Sequence, residues 1–196
     1  MKQQLSIDRV KGRPKRSLGQ NFLNDDNFLR LLSKNITTNN DTTIIEIGPG
    51  KGALTNYLIK KKFKYLYLIE KDYHLSVQLN NNYKKFDNIK IINHDALSYD
   101  FRNFYKHNDV VILGNLPFNI STQLLFKWLC EKKWPPFYRK MILMFQKEVA
   151  ERIISNHNKK NYGRISVASQ ARCKIRKIIT APSKVFFPKP KVDGVV

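Results

Sequence analysis

Residues 110–118 read VVILGNLPF, an apolar run of strand length that ends at once in an amide, a proline and an aromatic ring. The amide of Asn115 can hydrogen-bond the exocyclic N–H of a planar base, Pro117 stiffens the turn, and Phe118 can stack on the base. A buried strand followed by an ordinary turn explains the same residues equally well, because Asn and Pro are common in turns. The choice between these two interpretations depends on the rest of the chain.

A glycine-rich turn forms the second informative stretch. The apolar residues 43–47 predict a strand, residues 48–52 read GPGKG, and residues 53–62 predict a helix. Such a turn lets the backbone approach a ligand closely and points helix N–H groups at it. The spacing is G-x-G-x-G, which differs from the G-x-G-x-x-G of dinucleotide binding, and no P-loop lysine is present. The turn alone is weak evidence, since many α/β proteins carry glycines there.

Two carboxylates follow the next two predicted strands. Residues 65–69 lead to Glu70, and residues 89–93 are followed closely by Asp95. An acid roughly twenty residues after the glycine turn can accept hydrogen bonds from both hydroxyls of a ribose. Asp95 could accept from the exocyclic amine of a bound adenine, although each acid alone could be an ordinary charged residue at a strand end. Together with Asn115 they predict an α/β fold with one cleft along the carboxyl edge of a parallel sheet.

The remaining elements are predicted from caps and apolar periodicity. They are a helix capped by Asn24, Asp25 or Asp26, a helix capped by Ser121 and running to Leu129, a fifth strand over 140–145, helices over about 148–154 and 164–173, a basic strand over 174–180, and a last strand starting at Gly194.

The composition suits one cytosolic globular domain. A chain of 196 residues is long enough for one buried core, and its apolar runs are too short to span a membrane. The N-terminus lacks the pattern of a secretory signal. Cys130 and Cys173 are too few for a disulfide framework, and no Cys/His spacing suggests a metal site, so no metal is expected.

Charge is the strongest compositional signal. The chain has 36 Lys and Arg against 15 Asp and Glu, a net charge of +21. Codon bias accounts for many lysines but not for so few acids, so we expect a polyanionic partner, nucleic acid before membrane. Residues 1–18 form a basic arm, and a disordered solubilising tail is as good an explanation of it as a phosphate-contacting one.

An ordered set of motifs resembles a known family. The motifs are GQNFL at 19–23, EIGPG at 46–50, NLPFNIS at 115–121, QKEV at 146–149, YGR at 162–164 and F-x-P-x-PKVD at 186–193. From about residue 11 onward, the chain resembles the small-subunit type of ribosomal RNA adenine N6,N6-dimethyltransferase. The resemblance implies a Rossmann-like class I methyltransferase fold, with a mostly parallel central sheet, helices on both faces and an antiparallel strand near the C-terminus.

The resemblance also implies an activity. Members of this family use S-adenosylmethionine to dimethylate two adjacent adenosines near the 3′ end of small-subunit rRNA, in the course of ribosome assembly. The expected partner is therefore small-subunit rRNA or an immature 30S-type subunit, and the expected protein is a cytoplasmic monomer that binds no membrane.

Residue roles are carried over from the family motifs. The cofactor would be held by Asn21, Leu23, Gly48, Gly50, Glu70, Asp95 and Asn115. Asn115 and the Leu116 carbonyl would hold the target N6, with Pro117 in the same turn, and Phe118 and Phe186 would sandwich the target adenine.

The chain departs from the family pattern at three points. Phe118 stands where many members have Tyr, Gly194 replaces a frequent Ser, and members usually continue into a small helical domain that this chain lacks. The predicted domains are a basic arm over 1–18 and a catalytic domain over 19–196.

Three other functions are compatible with the sequence. They are a methyltransferase of the erythromycin-resistance type acting on large-subunit rRNA, a DNA adenine methyltransferase, and a non-catalytic RNA-binding assembly or transcription factor that keeps the fold.

Overall fold

The computed structural model describes residues 14–15 and 18–196. In chain order its strands are β1 (Phe22–Leu23), β2 (Thr42–Ile47), β3 (Tyr65–Glu70), β4 (Ile89–Asn93), β5 (Asp109–Gly114), β6 (Lys140–Leu143), β7 (Phe145–Gln146), β8 (Thr180–Ala181), β9 (Phe186–Phe187) and β10 (Gly194–Val195). The α-helices are α1 (Asp26–Lys34), α2 (Thr55–Leu58), α3 (Tyr73–Tyr83), α4 (Ser121–Leu129), α5 (Lys147–Ile153) and α6 (Arg164–Arg172), with short 3-10 helices at Phe101–Lys106 and Ser183–Val185.

A parallel sheet of five strands, in the order β4–β3–β2–β5–β6, forms the centre of the fold. β2 lies between two partners: Ile45 is level with Tyr67 of β3 on one side and with Ile112 of β5 on the other. The order of the strands reverses between β2 and β5. In open α/β sheets such a reversal opens a crevice at the carboxyl ends of the strands, where ligands bind.

Both faces of the sheet are covered, because successive side chains of each strand point to opposite faces. Ile44 and Val111 pack on one face with side chains of α1, α2 and α3. Ile45 and Ile112 pack on the other face with side chains of α4, α5 and the Phe101–Lys106 helix. Each fully buried aliphatic side chain contributes about 1.5–3 kcal/mol of hydrophobic stabilisation. This two-sided burial explains why the strands read as continuous apolar runs rather than as alternating ones.

Smaller antiparallel sheets complete the fold. β10 lies between β7 and β8 and runs antiparallel to both. β1 pairs antiparallel with β9, so that Phe22 is opposite Phe187 and Leu23 is opposite Phe186. The predicted α/β fold class, with its parallel central sheet and an antiparallel strand near the C-terminus, is confirmed.

Several predicted boundaries were wrong. The helix expected over 53–62 is α2 alone, which ends before three consecutive lysines, Lys60 to Lys62. Ser121 is the first residue of α4 rather than its cap, which is Ile120, and the Ser121 hydroxyl donates to the Phe118 carbonyl at 3.2 Å. α1 begins as expected, with the Asp25 side chain accepting from the Phe28 N–H.

The predicted strands at 140–145 and 174–180 were too long. Residues 140–145 change partner at Met144, from β5 in the central sheet to β10 in the small one. Of residues 174–180 only Thr180 is in a strand, because the preceding segment has few backbone partners besides Val196, whose carbonyl accepts from the Ile178 N–H at 2.7 Å. A cavity of about 700 Å³ is lined by this segment and by β6.

The helix α3 was missed. Asp72 caps it by accepting from the His74 and Leu75 N–H groups, but three consecutive asparagines, 80–82, follow in its second half. Asn has a low helix propensity, so packing of Leu79 and Tyr83 against the sheet must stabilise α3.

Among the described helices, none has both the length and the apolarity to span a membrane. Within the same residues, no group of three or more His, Cys, Asp or Glu side chains is arranged to hold a metal ion.

The close approach at Gly114 gives a test of the packing at the end of β5. A Cβ there would lie 2.6 Å from Leu116 Cδ2 and 3.3 Å from the Ile47 carbonyl oxygen. Leu116 is fully buried and cannot swing away. We therefore expect Gly114→Ala to lower the free energy of unfolding by about 1–3 kcal/mol in urea denaturation. Gly163→Ala is the control, since a Cβ at Gly163 meets nothing within 4 Å. Equal stability of the two variants would contradict this account of the turn.

Candidate active site

A cleft of about 460 Å³ opens at the carboxyl ends of β2, β3, β4 and β5. The predicted site residues that line it are Asn21, Leu23, Gly48, Gly50, Glu70, Asp95, Asn115, Leu116, Pro117 and Phe118. Phe186 is not among the lining residues, whereas its neighbour Phe187 is. The structure thus brings nearly all of the predicted residues to one concave surface, of a size typical of small-molecule sites.

The glycine turn forms the floor of the cleft. Gly48 and Gly50 have φ of +63° and +59°, values that other residues rarely adopt. A Cβ on Gly50 would lie 2.9 Å from the ring of Phe22, so the N-terminal segment packs directly over the turn. The glycines therefore serve both the backbone geometry and the close approach of this segment.

Glu70, the last residue of β3, is buried beside the turn. Its Oε2 accepts from the Gly50 N–H at 3.0 Å and its Oε1 from the Asp72 N–H at 2.9 Å. Burial raises the pKa of Glu70, and the two N–H groups partly oppose this rise. Each oxygen keeps lone-pair capacity for a further donor such as a ribose hydroxyl. Its side chain is locked in place before any ligand arrives.

Asp95 follows β4 at the other end of the cleft. Its Oδ1 accepts from the Leu97 N–H at 2.9 Å, and its Oδ2 pairs with Lys71 Nζ at 2.8 Å. Burial raises the pKa of Asp95, but the hydrogen bonds from Lys71 and Leu97 outweigh it, so the net pKa is lowered and the group stays ionised. An amine donor must therefore share this carboxylate with Lys71, a cleft-lining residue that sequence reasoning missed.

Asn115 connects the two sides of the cleft. Its Nδ2 donates to the Asn21 carbonyl at 2.9 Å, across 94 residues of sequence. This bond fixes the orientation of the amide and leaves its oxygen without a partner among the described residues. The Leu116 carbonyl is likewise without a partner there, while the Pro117 carbonyl accepts from the Ile120 and Ser121 N–H groups at the start of α4. Two acceptor oxygens thus follow β5 in succession.

The aromatic residues differ from the predicted sandwich. The rings of Phe118 and Phe186 lie 6.4 Å apart at 69°, which is an edge-to-face contact rather than a parallel gap for a base. Phe186 is buried, with 4% of its surface exposed, and Phe187 is 59% exposed. In a strand, neighbouring side chains point to opposite faces, which explains this difference. A base between Phe118 and Phe186 would require at least one ring to rotate.

The N-terminal segment is tied to the cleft by Asp72. Lys15 Nζ contacts Asp72 Oδ2 at 2.8 Å, and Gln20 Nε2 donates to the same oxygen at 3.4 Å. Burial raises the pKa of Asp72, and the Lys15 hydrogen bond and charge more than offset it, so the net pKa is lowered. The basic arm predicted over 1–18 therefore makes a defined contact through Lys15, and Leu18 already lines the cleft. The arm's other basic residues lie outside the described residues.

Glu46 is the most important residue that the sequence reasoning missed. It lies in β2, lines the cleft and is fully buried, with its Oε2 accepting from the Thr55 hydroxyl at 2.7 Å. Burial raises the pKa of Glu46 to about 7, opposed by the Thr55 hydrogen bond and helped by the charge of Glu70. An acidic residue inside a strand of isoleucines was a detectable signal, because buried acids are rare without a function or a partner.

These residues fit S-adenosylmethionine, the cofactor that the resemblance implies. Carboxylates suit its ribose hydroxyls and adenine amine, and the glycine turn leaves room for a ligand against the backbone. The buried acids Glu46 and Glu70 line the same cleft, and negative charge there would suit the cofactor's sulfonium cation. No lining residue argues against this group.

The sequence is similar to known proteins over most of its length. A model of the family described as ribosomal RNA adenine dimethylase matches residues 12–196. The protein named ribosomal RNA small subunit methyltransferase A from Pelagibacter ubique is 44% identical over 181 residues, covering 92% of this chain and 67% of its own length. The protein of the same name from Rhizobium johnstonii is 37% identical over 183 residues, covering 93% and 66%. The chain spans about two thirds of the length of these relatives.

Solved structures agree on the fold. A dimethyladenosine transferase from Plasmodium falciparum has a TM-score of 0.78 and 29% identity, covering 89% of this chain and 61% of that one. The 23S rRNA methyltransferase ErmE has a TM-score of 0.70 and 22% identity, covering 89% and 67%, and this likeness concerns the fold alone.

Titration of Glu46 provides a test of its burial. Because its pKa in the folded protein, about 7, lies above its ordinary value of 4.5, the group favours folding while it is protonated. That contribution is fully present below the ordinary value and is lost as the pH rises through 7. We expect Glu46→Gln to be more stable than the wild type well above that pH, by on the order of 3 kcal/mol, and similar in stability at acidic pH. Urea denaturation across the pH range measures the difference, and a constant difference would contradict the assigned burial.

Proposed function

We propose, since the chain belongs to the ribosomal RNA adenine dimethylase family, that it transfers methyl groups from S-adenosylmethionine to N6 of two adjacent adenosines near the 3′ end of small-subunit rRNA. The observation that carries this proposal is Asn115, whose Nδ2 is held by the Asn21 carbonyl while its oxygen has no hydrogen-bond partner among the described residues. Its substrate would be the rRNA of an immature 30S-type subunit. We further propose that the protein acts as a monomer in the cytoplasm.

The residues after β5 suit an adenine amine as acceptor. The lone pair of N6 is delocalised into the ring and is a poor nucleophile. Hydrogen bonds from its two protons to the Asn115 oxygen and the Leu116 carbonyl would favour the pyramidal, nucleophilic geometry. When bound, S-adenosylmethionine supplies an already activated methyl group, so the protein needs no strong base of its own. Alignment of nitrogen and methyl would contribute much of the rate.

Charge and aromatic rings support RNA as the substrate. Phe118 offers a ring at the acceptor end of the cleft, and carbonyl dipoles there suit an amine that becomes positively charged during transfer. A paired adenine cannot reach a cleft of this kind, so the target must be unpaired or flipped out. The net charge of +21 favours binding to the phosphate backbone.

The alternatives receive less support. The curated relatives are named as small-subunit enzymes, while the likeness to ErmE concerns the fold alone. Glu70, Asp95 and Asn115 are all present in the cleft, which disfavours a non-catalytic factor. The NLPF turn also departs from the Asn/Asp-Pro-Pro-Tyr/Phe turn of DNA adenine methyltransferases.

The experiment that tests this function is methyl transfer with labelled S-adenosylmethionine to immature small subunits, large subunits and duplex DNA in parallel. We expect label in the small subunit alone, located at two adjacent adenosines. Label only in the large subunit, or only in DNA, would refute the substrate assignment. Failure to bind S-adenosylmethionine in calorimetry would instead favour the non-catalytic alternative.

Substitutions at the two ends of the cleft should have opposite effects. Asn115→Ala removes an acceptor for N6, so the transfer rate should fall about 100-fold or more. Its affinity for S-adenosylmethionine should fall about tenfold at most, because only the bond to Asn21 is lost. Glu70→Ala should weaken cofactor binding first, by about 100-fold, since it loses a charged acceptor in the cleft.

Calorimetry with S-adenosylmethionine and a single-turnover methylation assay separate the two effects. The control is Asp87→Ala, an exposed acid that does not line the cleft. If Asn115→Ala loses cofactor affinity as severely as Glu70→Ala, the acceptor role of Asn115 is wrong.

A further inference from the structure

Phe187 is a large aromatic residue that is 59% exposed at the cleft. Other exposed aromatic residues, such as Phe86, do not line the cleft. The side chain of Phe187 is exposed because Phe186, the other residue of β9, points into the protein core. A phenyl ring exposed at the mouth of a cleft is available to stack on a planar ligand.

The backbone of Phe187 is well held. β9 pairs with β1, so that Phe187 lies opposite Phe22, and the ring of Phe22 packs over Gly50 in the floor of the cleft. Next to it, the Val185 carbonyl accepts from the Asn24 N–H at 2.8 Å. The exposed ring is therefore carried on a fixed backbone rather than on a loose loop, which lowers the entropy lost when a flat ligand stacks on it.

Basic residues lie at the cleft and close to Phe187 in the chain. Lys51 lies at the cleft with its Nζ 5.4 Å from the centre of the Phe22 ring. Lys184, Lys189 and Lys191 are exposed on either side of Phe187 in the chain. None of these lysines forms an ion pair with another described residue. Proteins that bind single-stranded nucleic acid combine exposed aromatic rings, on which bases stack, with basic side chains that contact phosphate.

We propose that Phe187 stacks on an unpaired nucleotide that neighbours the target adenosine, outside the pocket of Asn115 and Phe118. This inference rests on the proposed function, because the neighbour of a flipped adenosine must lie close to the mouth of the cleft. The two adjacent target adenosines supply a purine neighbour on one side of each target, and purines stack well on aromatic rings. Phe187 thereby holds the strand in register while Phe118 contacts the reacting base.

The test uses an RNA hairpin whose loop contains two adjacent adenosines, with the fluorescent base 2-aminopurine at the position next to the pair. Affinity is measured by fluorescence anisotropy and stacking by quenching of 2-aminopurine. We expect Phe187→Ala to weaken RNA binding about 5- to 100-fold and to abolish the quenching. Phe187→Tyr should restore both, because it keeps the ring.

The controls separate stacking from other causes. Phe86→Ala removes an exposed ring away from the cleft and should leave RNA affinity within about twofold of the wild type. Phe187→Ala should leave the thermal unfolding temperature and the calorimetric affinity for S-adenosylmethionine unchanged. The slope of log K against log salt should also be unchanged, since a stacking contact releases no counterions.

The outcomes that overturn the inference are specific. They are equal RNA affinities of Phe187→Ala and Phe86→Ala, no quenching by the wild type, or no binding of the hairpin by the wild type. Methylation of small subunits by a Phe187→Ala variant with normal RNA affinity would overturn the inference and leave the proposed function intact. If Phe187→Ala selectively loses RNA affinity, the stacking role is supported. If the wild type also fails to methylate small subunits, the substrate assignment is refuted while the stacking role stands.

Discussion

The site depends on the pairing of β2 with β3 on one side and β5 on the other. This register brings Ile47 level with Ile69 and with Gly114. The polar residues that follow each strand are therefore delivered to the same edge. Parallel neighbouring strands require connecting segments that cross over the sheet. Here these segments cover both faces of the sheet and bury them. The hydrophobic core is thus the cause of the site's geometry.

The charges of the protein are separated in space. The chain carries a net charge of +21, yet the carboxylates Glu46, Glu70 and Asp95 converge on one cleft. Burial raises the pKa of Glu46, and repulsion from the charge of Glu70 adds to this rise. A cation bound among them would relieve this repulsion, whereas a polyanion would be attracted to the surface outside. A single chain can in this way accept a sulfonium donor and an RNA acceptor without either competing for the other's site.

Much of the fold and cleft could be predicted from the sequence. The four strand-end positions at residues 48–50, 70, 95 and 115 were readable because apolar runs of strand length each ended abruptly in a polar or glycine residue. Helix α3 and the limits of α2 were not readable, because their stability comes from packing rather than from local propensity. Glu46 was overlooked although an acid within an apolar strand is a detectable signal, and the structure adds that its carboxylate is buried and accepts from the Thr55 hydroxyl. The roles of the site residues remain predictions.

The adjacent phenylalanines of β9 show what sequence patterns cannot decide alone. Both belong to one aromatic pair in the motif at 186–193, and either could have faced the cleft. The pairing of Leu23 with Phe186 accompanies burial of the Phe186 ring, which makes an edge-to-face contact with Phe118. The same pairing directs Phe187 outward beside the lysines. A shift of the β1–β9 register by one residue would exchange these positions. The short N-terminal strand, fixed by Asn21, Asn115 and Asp72, therefore determines which aromatic ring is exposed at the mouth of the cleft.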